Sequence, residues 1–227
     1  MTDRPIIFSG PMVRALLDGR KTQTRRALRE QRVTAYPTRV VRHPFDEPPH
    51  HAFEWRSKFG TYLADIDVPY ANGDRLWVRE EWRAADYYDT DSPRHLPKSA
   101  LVQYEATEPT KNGRSLAGRR RSPIHMPRWA SRLTLTVTDV RVQRLQEISE
   151  ADAKAEGVFQ VSMSEDGKSR GWQASYTAPA RLSPKTAFRH LWNSIHGSDA
   201  WDANPWVCAL TFTVAQRNID EQEKPND

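Results

Sequence analysis

The run Leu133 to Val142, LTLTVTDVRV, reads as an extended strand, with Leu133, Leu135 and Val137 on one face and Thr134, Thr136 and Thr138 on the other. The parity then moves to Val140 and Val142, and a bulge near Asp139 is the expected cause. A helix follows. Ser149 carries the short hydroxyl side chain that caps a helix N-terminus, Glu150 and Asp152 put negative charge in the first turn, and Gly157 suits the position just past the last turn. Glu156 is thereby set at the end of that helix.

Toward the C-terminus, Ser183-Pro184 opens another helix in which Phe188, Leu191, Trp192 and Ile195 fall at i, i+3, i+4 and i+7, and Gly197 ends it. Trp206, Cys208, Leu210, Phe212 and Val214 then alternate as a half-buried strand. Toward the N-terminus, the turn signal Asn72-Gly73-Asp74 leads into RLWVREEW, Arg75 to Trp82. There Leu76, Val78, Glu80 and Trp82 share one strand face and Trp77, Arg79 and Glu81 the other, so charged groups must meet a pocket, a partner or an internal ion pair. Phe53 to Asp67 suits one or two strands, Leu101 to Ala106 another, and Arg4 to Phe8 the first of the chain. Ser9 is a candidate cap for a short helix with Pro11 in its first turn and Met12, Leu16 and Leu17 at helical spacing, stopped by Gly19.

Short strands, three modest helices and no repeated strand-helix-strand rhythm predict an α+β fold, a small mixed β-barrel rather than a doubly wound sheet. The polar stretches 27–51, 83–127 and 158–181 read as long loop insertions in one domain spanning 1–216, with 217–227 as a disordered tail. At 227 residues, 37% hydrophobic, with a mean hydropathy of −0.79, much of the chain must lie at the surface. No apolar run approaches membrane-spanning length and no signal-peptide core is visible, so a soluble, cytoplasmic monomer is expected. Cys208 is the lone cysteine, which excludes an internal disulfide and a thiolate cluster. The seven histidines lack HExxH or His/Cys ligand spacing; His50 and His51 fall in a Pro-rich stretch, and neither a metal nor a cofactor is indicated. There is no P-loop, GxGxxG or GxSxG, which removes nucleotide-fuelled and triad-hydrolase classes.

The formal charge is +5, and the excess is local. Met1 to Pro44 holds ten Lys/Arg against three Asp/Glu, and Glu108 to Arg132 seven against one. Such patches, with Arg114, Arg119, Arg120 and Arg121 at the second tip, suggest contact with RNA or DNA phosphates. The octet GRKTQTRR, Gly19 to Arg26, places an amine and two hydroxyls among three guanidinium groups. Like-charge repulsion there lowers the Lys21 pKa and fits it to act as general base for a nearby threonine; a solvated basic turn that touches phosphates is the competing reading.

Four blocks in order, DGRKTQTRR, GDRLWVREEW, VTDVRVQRLQEISEADAKAEG and WDANPWVCALTF, resemble the ASCH superfamily, in the longer branch found in phages and prophages. The resemblance covers roughly half of the chain and implies a PUA-like β-barrel. It also implies an activity, since small bacterial members are N4-acetylcytidine amidohydrolases using a lysine, a threonine and a glutamate, matched here by Lys21, Thr24 and Glu156, with Arg26 completing GRKTxTxR. The substrate is then an N4-acylated cytidine, free or within a nucleic acid. Arg26 and Arg79 are candidates to contact it, and Trp77 and Trp82 to stack on the pyrimidine, core packing being the alternative for both tryptophans. For Glu80 and Glu81 an ion pair with Arg25, Arg26 or Arg79 is favoured over catalysis. Two other readings stand beside the hydrolase: a non-catalytic RNA- or DNA-binding module, and a single-strand ribonuclease. Strict strand geometry sends Lys21 and Thr24 to opposite faces, so the segment must bend if the two are to meet.

Overall fold

The computed structural model describes residues 2–29, 35–43, 50–57, 59–107 and 118–221. The first half of the chain forms β1 (Asp3–Ile7), α1 (Gly10–Leu17), β2 (Gln23–Ala27), β3 (Ala35–His43), β4 (His50–Ser57), β5 (Tyr62–Val68), β6 (Arg75–Arg79), β7 (Trp82–Arg83) and β8 (Gln103–Tyr104). The second half adds β9 (Thr134–Arg144), α2 (Glu150–Ala155), β10 (Phe159–Ser162), β11 (Arg170–Gln173), α3 (Pro184–His196) and β12 (Trp206–Ala215). Three α-helices and several sheets among the described residues make this a mixed α+β fold. The largest sheet has five strands in the order β1-β6-β9-β12-β2. It is open, with β1 and β2 as its edges, so the described strands form no closed barrel. Pro5 is accommodated because β1 pairs only on the side of β6, leaving no ladder bond lost on its free edge.

The chain divides into two compact units: Met1–Gly19 with Asp74–Thr136 and Thr213–Asp227, and Arg20–Gly73 with Val137–Phe212. The segments interleave, so no shift of composition along the chain marks the division. β9 continues as one strand past Asp139 to Arg144.

In the first unit β1 runs parallel to β6, which pairs antiparallel with the start of β9. Leu76, Val78, Leu133 and Leu135 are buried there, as the alternation requires. Ser9 occupies the α1 N-cap but its hydroxyl makes no capping bond; Gly19, at φ +69°, ends the helix turn in a conformation that favours glycine. RLWVREEW is broken after Arg79, and Trp82 begins the short β7–β8 ribbon. The expected disordered tail is in part ordered: Asn218 Nδ2 donates to the carbonyls of Arg128, Trp129 and Ser131, and Ile219 is buried. Residues 222–227 lie outside the described set.

The second unit overturns two expected loops. Stretch 27–51 contains β3, which pairs along β4 with a register shift between Pro37 and Arg39, and β4 pairs antiparallel with β5, so that Phe53 to Asp67 holds two strands. Stretch 158–181 contains the β10–β11 hairpin, extended by a bridge from Trp172 to Arg181. Both pairings satisfy backbone groups that apolar periodicity leaves unmarked. Ser183 caps α3 through the Thr186 amide, and Phe188 and Trp192, one turn apart, pack with Leu145, Ile148 and Val207. Ile195 departs from the expected stripe and is exposed, because the buried face ends a turn before the helix does. Cys208 is enclosed on β12, and burial, with Asp139 adding to it, pushes its thiol up to about 12. Folded protein should therefore leave a thiol-disulfide reagent unreacted at pH 8, and denatured protein should consume one equivalent per chain; ready labelling of the native state would contradict this packing.

Candidate active site

Residues 20–22 lie beside the end of α2: Thr22 N donates to Ala155 O at 2.8 Å, Lys21 bridges to Glu156, and Arg20 Nη1 donates to Gly157 O at 2.8 Å. Gly157 takes φ +103°, which turns the chain out of the helix and leaves Glu156 as its C-cap. Lys21 Nζ then donates to Glu156 Oε2 at 2.7 Å, to Glu156 O at 3.0 Å and to Gln23 O at 2.8 Å. Three acceptors match the three hydrogens of an ammonium group. The side chain of Lys21 is 0% exposed and that of Glu156 3%.

On β2, Gln23 and Arg25 alternate onto one face; on α2, Asp152 and Glu156 are one helical turn apart. These two pairs meet. Arg25 Nη1 donates to Glu156 Oε1 at 3.1 Å and Nη2 to Asp152 Oδ2 at 3.1 Å, while Gln23 Nε2 and Arg141 Nη2 donate to Asp152 Oδ1 at 3.1 and 3.2 Å. Sequence reasoning did not single out Gln23, Arg25 or Asp152 as members of the site. The signal was present, as two polar residues at strand spacing facing two acids at helical spacing.

Burial presses the Lys21 ammonium below its ordinary 10.5; Glu156 opposes this, and Arg26 and Arg25 add to the downward push. The direction is the expected one, but exclusion of water outweighs the neighbouring arginines as its cause. For Asp152, burial works against the charged form, yet the Gln23 amide and the Arg141 and Arg25 charges outweigh it and hold the carboxyl below 3.8. A carboxyl depressed in the folded state contributes stability above its unfolded pKa and loses it as pH falls through the folded one. The gap in thermal midpoint between wild type and Asp152→Asn should therefore be open at pH 6 and narrow below about pH 3.8; a gap constant down to pH 2 would refute this role.

Thr24 pairs through its backbone with Leu210 and is 3% exposed; it alternates away from Gln23 and Arg25. No hydrogen bond joins it to Lys21, and its hydroxyl makes none among the described residues. Arg26 shares the Thr24 face. Burial lowers its pKa from 12.5, with Tyr70 and Glu156 opposing, which puts it within electrostatic range of both.

The remaining candidates lie in the first unit. Trp82 is a core residue, wholly buried with Ala84, Leu96, Met126 and Ala130, and so offers no stacking face. Trp77 is also buried, and the Arg79 guanidinium lies 4.3 Å over its ring while donating to Ile124 O. Glu80 and Glu81 form ion pairs, but with other arginines than expected: Arg132 grips Glu80 through two bonds of 2.9 Å, and Arg120 bonds Glu81. The basic tip is corrected as well. Arg121 is 5% exposed and turned inward onto the carbonyls of Tyr88 and Asp91, so it cannot serve as a surface phosphate contact. Arg120 is neutralised by Glu81 and Glu105, Arg119 stays exposed, and Arg114 lies outside the described residues.

No family model matches the chain, and no curated protein or solved structure matches it.

Proposed function

We propose that the protein is an ASCH-like amidohydrolase with a PUA-like barrel core that removes the acyl group from N4-acylated cytidine. The observation that carries the reading is the 2.7 Å bond between Lys21 Nζ and Glu156 Oε2, joining two of the three residues that the motif resemblance selects across 135 positions of chain. In this mechanism Glu156 orients Lys21, which gives up a proton to water as the site opens; burial, which presses the ammonium pKa down, favours that loss. Once the opening that admits substrate has also brought Thr24 Oγ to the amine, Lys21 takes the hydroxyl proton as Oγ attacks the acyl carbon. The C–N4 bond breaks as N4 receives that proton, releasing cytidine and leaving an acyl ester on Thr24. Water then cleaves the ester, returning the threonine and a carboxylic acid. Arg26, on the Thr24 face of β2, would hold the substrate carbonyl. Because Lys21 exposes nothing and Thr24 only 3%, the surrounding side chains must open to admit a pyrimidine.

A second reading rests on the same cluster. A lysine whose three hydrogens are all matched, beside an arginine shared by two carboxylates, is also a complete structural ion network, and the protein is then a binding module. Incubation with N4-acetylcytidine separates the two, since deacylation shifts the ultraviolet spectrum to that of cytidine. A spectrum unchanged after prolonged incubation favours the binding module.

A further inference from the structure

In the first unit, Ser92, Arg119, Arg121, Ser122 and His125 line a cavity of about 420 Å³. Its volume is in the range of small-molecule sites. No carboxylate lines it. The Arg119 guanidinium, the Ser92 and Ser122 hydroxyls and the His125 ring make no hydrogen bond or ion pair among the described residues, so each has a donor to spare. Arg121 adds a positive charge in the wall: its side chain is 3% exposed, its nearest carboxylate, Asp89, stands at 3.9 Å, and its Nε has no partner. The carbonyls of Tyr88 and Asp91 hold that guanidinium in place, so the cavity is shaped before any ligand arrives.

Unpaired donors in a wall that holds arginines and no carboxylate suit an oxyanion, and a cavity larger than one phosphate leaves room for the attached sugar. We infer that this cavity is a phosphate site for a nucleotide, free or within a single strand, with Arg119, Ser122 and His125 as phosphate donors. Arg120 takes no part, being held by Glu81 and Glu105.

The test measures binding of cytidine monophosphate by calorimetry and of a short fluorescein-labelled oligocytidylate by anisotropy, each at two salt concentrations. Arg119→Gln should weaken binding about tenfold and lower the salt slope by about one, as loss of a phosphate contact does. Arg170→Gln removes the same charge from an exposed arginine of the second unit and should change neither. Binding of the monophosphate identifies a free nucleotide as ligand; binding of the oligonucleotide alone identifies a strand. The inference is overturned if wild type binds neither probe, or if the two variants weaken binding equally. Neither arm requires the protein to hydrolyse anything.

Discussion

Thr24→Val should cut cytidine release from N4-acetylcytidine by at least the roughly 10²–10⁴-fold expected for loss of a positioned proton transfer, with the thermal midpoint held to within about 2 °C. The separation of the two effects follows from the environment of Thr24. It is enclosed on a strand, and its hydroxyl bonds nothing among the described residues. Valine keeps the shape and the branched Cβ that suit a strand, and removes only the nucleophile. Lys21→Met should lose turnover on a similar scale, since the threonine then has no base. If Thr24→Val turns over like wild type, the hydroxyl is not the attacking group.

Glu156→Ala should destabilise the fold by about 3–5 kcal/mol, lowering Tm by roughly 6–20 °C. Glu156 serves two cations at once, Lys21 through Oε2 and Arg25 through Oε1, and both cationic side chains are 0% exposed. Its removal takes the carboxylate from two buried positive charges at once and leaves Arg25 to Asp152, which is already shared with Gln23 and Arg141. Lys21→Met is the informative comparison. It removes one charge, keeps the length of the side chain, and leaves Glu156 paired with Arg25, so its loss of stability should be the smaller. Calorimetric melting of both variants would contradict this hierarchy if Lys21→Met proved the more damaging.

Legibility varied with how local the determining physics is. The strand at Leu133, the Ser149 and Ser183 caps and the Phe188/Trp192 stripe are set by neighbours within a few residues, and the structure has them as read. The β3–β4 ladder and the β10–β11 hairpin are set by partners whose apolar spacing is irregular, and both stretches read as loops. In the candidate site, Lys21 and Glu156 meet as the motif register implied, while Arg25, which the sequence reading paired with Glu80 or Glu81, bonds Glu156 instead. Alternation along β2 puts Arg25 on the same face as Gln23, toward α2. Arg121 shows the opposite failure. A run of three arginines reads as a solvated tip, whereas carbonyls from the segment around Tyr88 draw its last member into the interior.

The most direct test mixes wild-type protein with an equimolar amount of N4-acetylcytidine, chelator present, and quantifies cytidine by chromatography over time. Single-turnover conditions make even a slow reaction visible. The account predicts complete conversion to cytidine and acetate in wild type and none in Thr24→Val of equal Tm. Unchanged N4-acetylcytidine in the wild-type reaction would contradict it and leave Lys21 and Glu156 as an ion pair that serves the fold alone.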